Sequence, residues 1–187
     1  MIIEKLTVSP ILENCYIVGD EATKVGIIID PGDEAERILR KVDTLGLKID
    51  KIINTHGHVD HVCAVQAVKE ALGATFYLHP AEKMHLPRLL ETAAMFGIAN
   101  ARIPEVDVEL KNGDVIAFGS SQLKVVSTPG HTPGHCILVA GTDVFCGDLI
   151  FSGSIGLTDF PGGDYPTILT SLETAILTLP GETRLHP

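Results

Sequence analysis

The stretch Thr55–His61 reads Thr-His-Gly-His-Val-Asp-His and places three imidazoles and one carboxylate close together in the chain. Imidazole nitrogens combined with a carboxylate oxygen suit Zn²⁺, Fe or Mn better than Ca²⁺ or Mg²⁺, which prefer oxygen ligands. The alternate residues His56 and His58 can converge on one point, and Asp60 and His61 can serve a second point a few ångströms away. The stretch therefore predicts a metal site rather than a solvated polar loop.

The surrounding sequence predicts a layered α/β fold. An apolar, strand-like run at 51–54 precedes the histidine stretch, and helical spacing of apolar residues follows it at 62–72. Further strands are predicted at 2–8, 14–19, 24–29, 106–110, 115–118 and 123–127. Further helical segments are predicted at 81–99, with an interruption at Pro87, and at 166–179. Another helix is predicted to run to about Leu45, with Asp33 as its N-cap. Helical and stranded blocks in this order favour sheets covered by helices.

Two later segments add candidate ligands. Thr128–Gly134 reads Thr-Pro-Gly-His-Thr-Pro-Gly, and its prolines and glycines restrict the loop around His131. Asp148 follows a strand predicted at 143–146, where an exposed carboxylate could bridge two ions.

These segments together resemble the metallo-β-lactamase superfamily. Thr55–His61 resembles its His-x-His-x-Asp-His signature, Thr128–Gly134 its second histidine loop, and Phe145–Phe151 its strand ending in a bridging aspartate. Ser154–Asp164 resembles a stretch of the small glyoxalase II-like hydrolases. The resemblance implies an α/β (α+β) fold, an αββα sandwich, formed by one domain at 1–187.

The same resemblance implies a binuclear centre built from six side chains. One ion would be held by His56, His58 and His131, a second by Asp60 and His61, and Asp148 would bridge the two. The ions would be Zn²⁺, with Fe or Mn as alternatives, and would supply hydroxide at neutral pH. Asp60 would also hydrogen-bond the attacking hydroxide, which makes it the expected catalytic residue.

The implied reaction is hydrolysis of a small-molecule thioester, with an S-(hydroxyacyl)glutathione such as S-lactoylglutathione as the leading candidate. The chain departs from the family pattern at Leu157, where the related small hydrolases usually have Arg, so a basic contact to an acidic substrate is lost. The family also takes a last ligand from a Gly-His-Gly loop near its C-terminus, whereas this sequence stops at Pro187. We expect that the usual C-terminal end is missing here, that His186 substitutes, or that the second ion is weakly held or absent.

Two other functions remain open at this point. A related branch of the family, the glutathione-persulfide dioxygenases, uses one Fe²⁺ held by the equivalents of His56, His131 and Asp148, a two-histidine, one-carboxylate set. The other alternative is a metal-binding protein that lacks catalysis because its second site is incomplete.

Composition narrows the possible partners. The net charge is −10 and the lysines and arginines are scattered, which argues against a nucleic-acid surface. No run approaches the roughly 20 apolar residues of a membrane span, and the N-terminus does not resemble a signal peptide. The four cysteines have no Cys-x-x-Cys spacing, so we expect reduced, buried thiols and a cytoplasmic protein. The oligomeric state is left open.

Overall fold

Two β-sheets pack face to face, and helices cover their outer faces, in a computed structural model that describes all of residues 1–187. The strands of the first sheet are β1 Ile2–Val8, β2 Glu13–Gly19, β3 Val25–Ile29, β4 Lys48–Ile53, β5 Thr75–Leu78 and β6 Val108–Glu109. They lie side by side in the order β1-β2-β3-β4-β5-β6. The pairs from β1 to β3 are antiparallel, and those from β3 to β6 are parallel.

The second sheet is formed by the C-terminal half of the chain. Its strands are β7 Val115–Phe118, β8 Ser121–Ser127, β9 Cys136–Ala140, β10 Asp143–Phe145 and β13 Arg184–His186. Between β10 and β13 the chain forms a separate hairpin of β11 Ile150–Phe151 and β12 Ser154–Ile155. The order across the sheet is β13-β10-β9-β8-β7. Only the β10–β13 pair in this sheet is parallel.

The helices are short. They are α1 Ala35–Leu45, α2 Val59–Val62, α3 Val65–Leu72, α4 Leu89–Met95 and α5 Tyr165–Ala175, with 3-10 turns at Pro80–Met84, Leu86–Arg88 and Gly147–Leu149. None of them has the length and apolar character needed to span a membrane.

Strand β3 shows how the sequence builds the layers. Successive side chains of a strand point to opposite faces. Ile27 and Ile29 accordingly join the cluster between the two sheets, which also contains Val125 and Leu138 of the second sheet. Ile28 points the other way, into the cluster beneath α1 and α3. A third cluster, which contains Ile168, lies under α5 on the outer face of the second sheet. The predicted αββα sandwich is confirmed.

Two local predictions were wrong. The N-cap of α1 is Glu34, which has a left-handed backbone (φ 53°), because the Asp33 carboxylate accepts from the Glu34 N–H (2.7 Å) instead of capping the helix. The helix predicted at 62–72 is interrupted, since the Ala64 N–H bonds to the carbonyl of Pro31 (3.1 Å) outside the helix. The interruption predicted at Pro87 is confirmed, since the segment 81–99 consists of two 3-10 turns, the second containing Pro87, and the short α4.

The parallel pairing of β3 with β4 decides where the polar loops lie. Parallel strands end at the same edge of a sheet, so Asp30 after β3 and Asn54 after β4 are neighbours. The Asn54 amide donates to the His61 carbonyl (2.6 Å) and so fixes the loop that returns from β4.

We predict that the native protein resists thiol reagents. All four cysteines are free and buried, and burial raises the pKa of Cys63 and of Cys146 to about 12. Because the thiolate is the reactive form, Ellman's reagent at pH 8 should react slowly with the folded chain and with all four thiols in denaturant. Rapid reaction of any thiol in the native protein would contradict this placement.

Candidate metal centre

The candidate metal centre lies at one edge of the sandwich, where strands of both sheets end. The stretch Thr55–His61 follows β4 and runs into α2, the loop Thr128–His135 joins β8 to β9, and Asp148 lies in the 3-10 turn after β10. Each sheet therefore contributes part of the same cluster, although the two parts are far apart in the sequence.

The first group of possible ligands is His56, His58 and His131. Their ring nitrogens lie within 4.8 Å of one another, and Nδ1 of His58 is 2.9 Å from Nε2 of His131. Nε2 of His56 is buried and has no hydrogen-bond partner. A buried nitrogen without a partner, beside two other ring nitrogens, is chemically suited to bind a cation. The donor set thus fits the metal that the family resemblance implies.

The outward-facing ring nitrogens are held by hydrogen bonds. Nδ1 of His131 contacts the carbonyl oxygen of Leu157 (2.6 Å), and Nδ1 of His56 contacts the hydroxyl of Thr55 (3.1 Å). A bond at Nδ1 fixes the orientation of the ring and leaves Nε2 free to bind a metal. His58 has the opposite arrangement, since its Nδ1 faces the cluster.

Asp148 connects the first group to a second group of possible ligands, which consists of His56, His61 and Asp148 itself. Its Oδ2 is 3.4 Å from Nε2 of His131, and its Oδ1 is 3.2 Å from Nε2 of His61. Within the second group, His56, His61 and Asp148 also bring their ligand atoms within 4.8 Å of one another. Asp60 lies slightly farther out, with Oδ2 3.8 Å from Nε2 of His61. One carboxylate with an oxygen toward each group is the arrangement that a bridging ligand requires.

Electrostatics keep the first group ready to bind a cation. Burial, together with the neighbouring imidazoles, lowers the pKa of His56 well below its usual value and that of His58 to about 2. Both rings are therefore neutral, which is the metal-binding form.

The second group is charged in the absence of a cation. Burial opposes protonation of His61, but the carboxylates of Asp148, Asp60 and Asp30 outweigh it and raise the pKa of this ring well above its usual value. Burial likewise opposes ionisation of Asp148, but the charge of His61 prevails and lowers the pKa of this carboxyl below its usual range. A divalent ion would take the place of the proton on His61.

Asp30 supports the centre from behind. The buried carboxylate accepts from the N–H of Thr55 (2.7 Å) and from its hydroxyl (2.6 Å), and it contacts Nδ1 of His61 (3.0 Å). It therefore orients His61 and leaves Nε2 of that ring pointing at Asp148.

Sequence reasoning missed two buried carboxylates, Glu13 and Glu82. Oε1 of Glu13, at the start of β2, is 3.8 Å from Nδ1 of His61, and burial raises the pKa of this carboxyl well above its usual value. Glu82 lies in the turn after β5 and contacts both histidine loops. Neither is part of a recognisable motif, and only the docking of distant elements brings them here.

His135 and His186 also lie outside the ligand groups. Nδ1 of His135 contacts the hydroxyl of Thr128 (2.9 Å), and the ring is fully buried beside that of His56. Nε2 of His186 contacts Oδ1 of Asp143 (2.8 Å), and its ring stacks on Phe145. The expectation that His186 substitutes for a missing ligand was therefore wrong, because β13 places this ring against β10 and its carboxylate neighbour there is Asp143.

Comparison with known proteins gives this centre its context. A family model described as the metallo-beta-lactamase superfamily matches residues 8–185. The chain belongs to the metallo-β-lactamase superfamily. It is 35% identical over 184 residues to a Haemophilus influenzae protein named hydroxyacylglutathione hydrolase GloC, covering 96% of this chain and 86% of that protein.

Solved structures with the same fold carry several descriptions. TTHA1623 in a di-iron-bound form has a TM-score of 0.87 and 40% identity, covering 98% of this chain and 90% of that one. BLEG-1, described as a B3 metallo-beta-lactamase, has a TM-score of 0.90 and 32% identity over the same shares of the two chains. ETHE1 from Myxococcus xanthus has a TM-score of 0.82 and 31% identity, covering 100% of this chain and 75% of that one.

We predict that His131 and His135 differ in their effect on metal binding although they share a loop. His131→Ala should weaken binding of Zn²⁺ by more than about 100-fold, which exceeds the usual cost of losing an outer hydrogen bond to a ligand. His135→Ala should weaken it far less, since its Nδ1 contacts Thr128 and it belongs to neither ligand group. The measurement is competition with a chromophoric chelator, with thermal unfolding of the metal-free variants as the folding control. Equal losses in the two variants would contradict the assignment.

Proposed function

We propose that the protein is a metal-dependent hydrolase of thioesters, with an S-(hydroxyacyl)glutathione such as S-lactoylglutathione as its substrate. The observation that carries the proposal is the position of Asp148, whose two oxygens lie within 3.4 Å of ring nitrogens in two ligand groups. A carboxylate shared in this way favours a binuclear centre. Similarity to a protein named hydroxyacylglutathione hydrolase supports the thioester as the reacting group.

The proposed ligands are the six residues that the family resemblance implies. They are His56, His58 and His131 for one ion, Asp60 and His61 for the second, and Asp148 between them. Zn²⁺ is the ion that the ligand chemistry and the family favour. Fe is supported as an alternative by the di-iron form of a structure 40% identical to this chain.

Divalent ions held by these residues would lower the pKa of a bound water and polarise the thioester carbonyl. The chain itself positions the reactants. Asp148 presents an oxygen to each ligand group, and Asp30 fixes the ring of His61. Asp60 is half-buried at the centre, where its carboxylate can accept a hydrogen bond from the attacking water.

A cysteine nucleophile is disfavoured by burial. Each of the four thiols is buried, and their raised pKa values keep them protonated at neutral pH. Water is therefore the proposed nucleophile, and the thiol of the substrate is the leaving group.

Two exposed apolar residues beside the first ligand group suit the carbon chain of a thioester. The ring of Phe160 lies 5.7 Å from that of His58, and Phe160 is 47% exposed. Leu157 is 59% exposed, and its carbonyl oxygen contacts the His131 ring. The proposed partner is accordingly a small molecule.

A mononuclear Fe²⁺ dioxygenase acting on glutathione persulfide is the second candidate. His56, His131 and Asp148 form a two-histidine, one-carboxylate set of the kind that such enzymes use. A third candidate is a metal-binding protein without turnover. Because the chain is also similar to BLEG-1, described as a B3 metallo-beta-lactamase, a β-lactam is included among the substrates tested.

The deciding measurement is metal content per chain, paired with hydrolysis of S-lactoylglutathione. Anaerobically purified protein should hold about two Zn or Fe ions per chain and release free thiol from the thioester. About one iron, no thiol release and oxygen uptake with glutathione persulfide would favour the dioxygenase instead. Bound metal with no turnover of thioester, persulfide or β-lactam would favour the metal-binding protein.

We predict that Asp148→Asn lowers kcat/KM for the thioester by roughly 100-fold or more, because charge stabilisation by metal ions contributes several kcal/mol to such reactions. The amide retains one oxygen but cannot present a negatively charged oxygen to both groups. Asp43→Asn, on the exposed side of α1, is the matched control and should leave kcat/KM unchanged. Steady-state thiol release measures both variants, and full activity of Asp148→Asn would exclude a bridging role.

A further inference from the structure

Glu82 is a fully buried carboxylate that lies between the two histidine loops without being part of a ligand group. It belongs to the 3-10 turn Pro80–Met84, which follows β5 of the first sheet. A buried carboxylate is costly unless its oxygens accept hydrogen bonds. The partners of Glu82 therefore indicate what it does.

Each oxygen of Glu82 binds one loop. Oε2 accepts from the N–H of Gly57 (2.7 Å), and Oε1 accepts from the N–H of Gly134 (2.6 Å). Gly57 separates the ligands His56 and His58 in the chain, and Gly134 lies in the same tight loop as His131. The one side chain thus connects the backbones of the loops that supply the first ligand group.

Both loops have a glycine at the point of contact, and the spacing requires it. A Cβ at Gly57 would lie 2.9 Å from the backbone oxygen of Glu82, and a Cβ at Gly134 would lie 2.8 Å from Oε1 of Glu82. The latter Cβ would also lie 2.4 Å from Nδ1 of His79, which is held at the start of the turn by its contact with the Ala81 N–H. Any larger residue would push the turn away from the loops.

The same turn also supports the ring of His58. The residue after the turn is His85, whose ring lies 4.9 Å from that of His58 at an interplanar angle of 67°. Nε2 of His85 is 3.7 Å from Oε2 of Glu82. Glu82 thus contacts the backbone of both histidine loops, and His85 contacts the ring of His58.

We propose that Glu82 is a positioning residue that sets the separation of His58 and His131 and thereby the geometry of the first metal site. It acts through the backbone N–H groups of Gly57 and Gly134 and does not itself touch the ion. This inference rests on the metal centre of the proposed function but not on the identity of the substrate.

The test is Co²⁺ binding to Glu82→Gln. The affinity is measured by chelator competition, and the geometry of the site is monitored by the visible absorption of the Co²⁺ protein. The amide of Gln has the size of the carboxylate but turns one acceptor into a donor, so it must face one loop N–H with an N–H₂ group. We expect affinity to fall by about 10–100-fold, as for other outer partners of metal ligands, together with a changed Co²⁺ spectrum. Glu82→Asp keeps both acceptors on a shorter side chain and should lie between wild type and Gln in both readouts.

Asp20→Asn is the matched control for lost stability. Asp20 is also buried, and it accepts from the N–H of Thr23 and from the hydroxyls of Ser120 and Ser121, at the end of β2 away from Glu13. Asp20→Asn should lower the thermal stability of the metal-free protein while preserving Co²⁺ affinity and spectrum. If Glu82→Gln does not fold, the comparison is made between Glu82→Asp and Asp20→Asn.

Four outcomes decide between the possibilities. Wild-type affinity and spectrum in the Glu82 variants would overturn the proposal, as would losses of affinity that merely parallel thermal stability in all variants, including Asp20→Asn. A wild-type protein that binds no Co²⁺ would overturn both this proposal and the metal centre. Weakened binding and a changed spectrum in Glu82→Gln, with no thioester hydrolysis by the wild type, would support the role of Glu82 while overturning the proposed reaction.

Discussion

The hydrogen bonds at Asp30 are the interaction on which the rest of the centre depends. They join the ends of the parallel strands β3 and β4, because the carboxylate follows β3 whereas Thr55 and His61 follow β4. Burying this carboxylate is tolerable only because three groups contact it, two of them as hydrogen-bond donors on Thr55. With Asp30 in place, His61 faces Asp148, and the loops of the second sheet meet those of the first.

Much of the fold and most of the centre could be predicted from the sequence, for reasons that differ between residues. His56, His58, Asp60 and His61 are close in the chain, so their spacing alone indicates a shared role. Strand β3 was recognisable because it ends in three consecutive Ile residues that need burial on both faces, and the structure buries Ile27, Ile28 and Ile29 completely.

What could not be predicted depends on contacts between distant elements. Glu13 and Glu82 belong to no motif, and each acquires its role only when its strand or turn docks beside the histidine loops. The N-cap at Asp33 failed because a neighbouring backbone N–H competed for its carboxylate, and the break at Ala64 arises from a bond to Pro31. The family resemblance suggested the pairing of His131 with His58, but the carboxylate that clamps their loops could be found only in three dimensions.

The division of the centre between two sheets has a consequence for how the chain folds. His58 and His131 are 73 positions apart, and their approach requires that both sheets be formed and docked. Contacts with such long sequence separation form late, because the entropy of closing a large loop opposes them until the surrounding structure exists. A cation that needs ligands from both sheets would then bind the native chain far better than any partly folded one. Raising the concentration of that cation would therefore increase the free energy of unfolding.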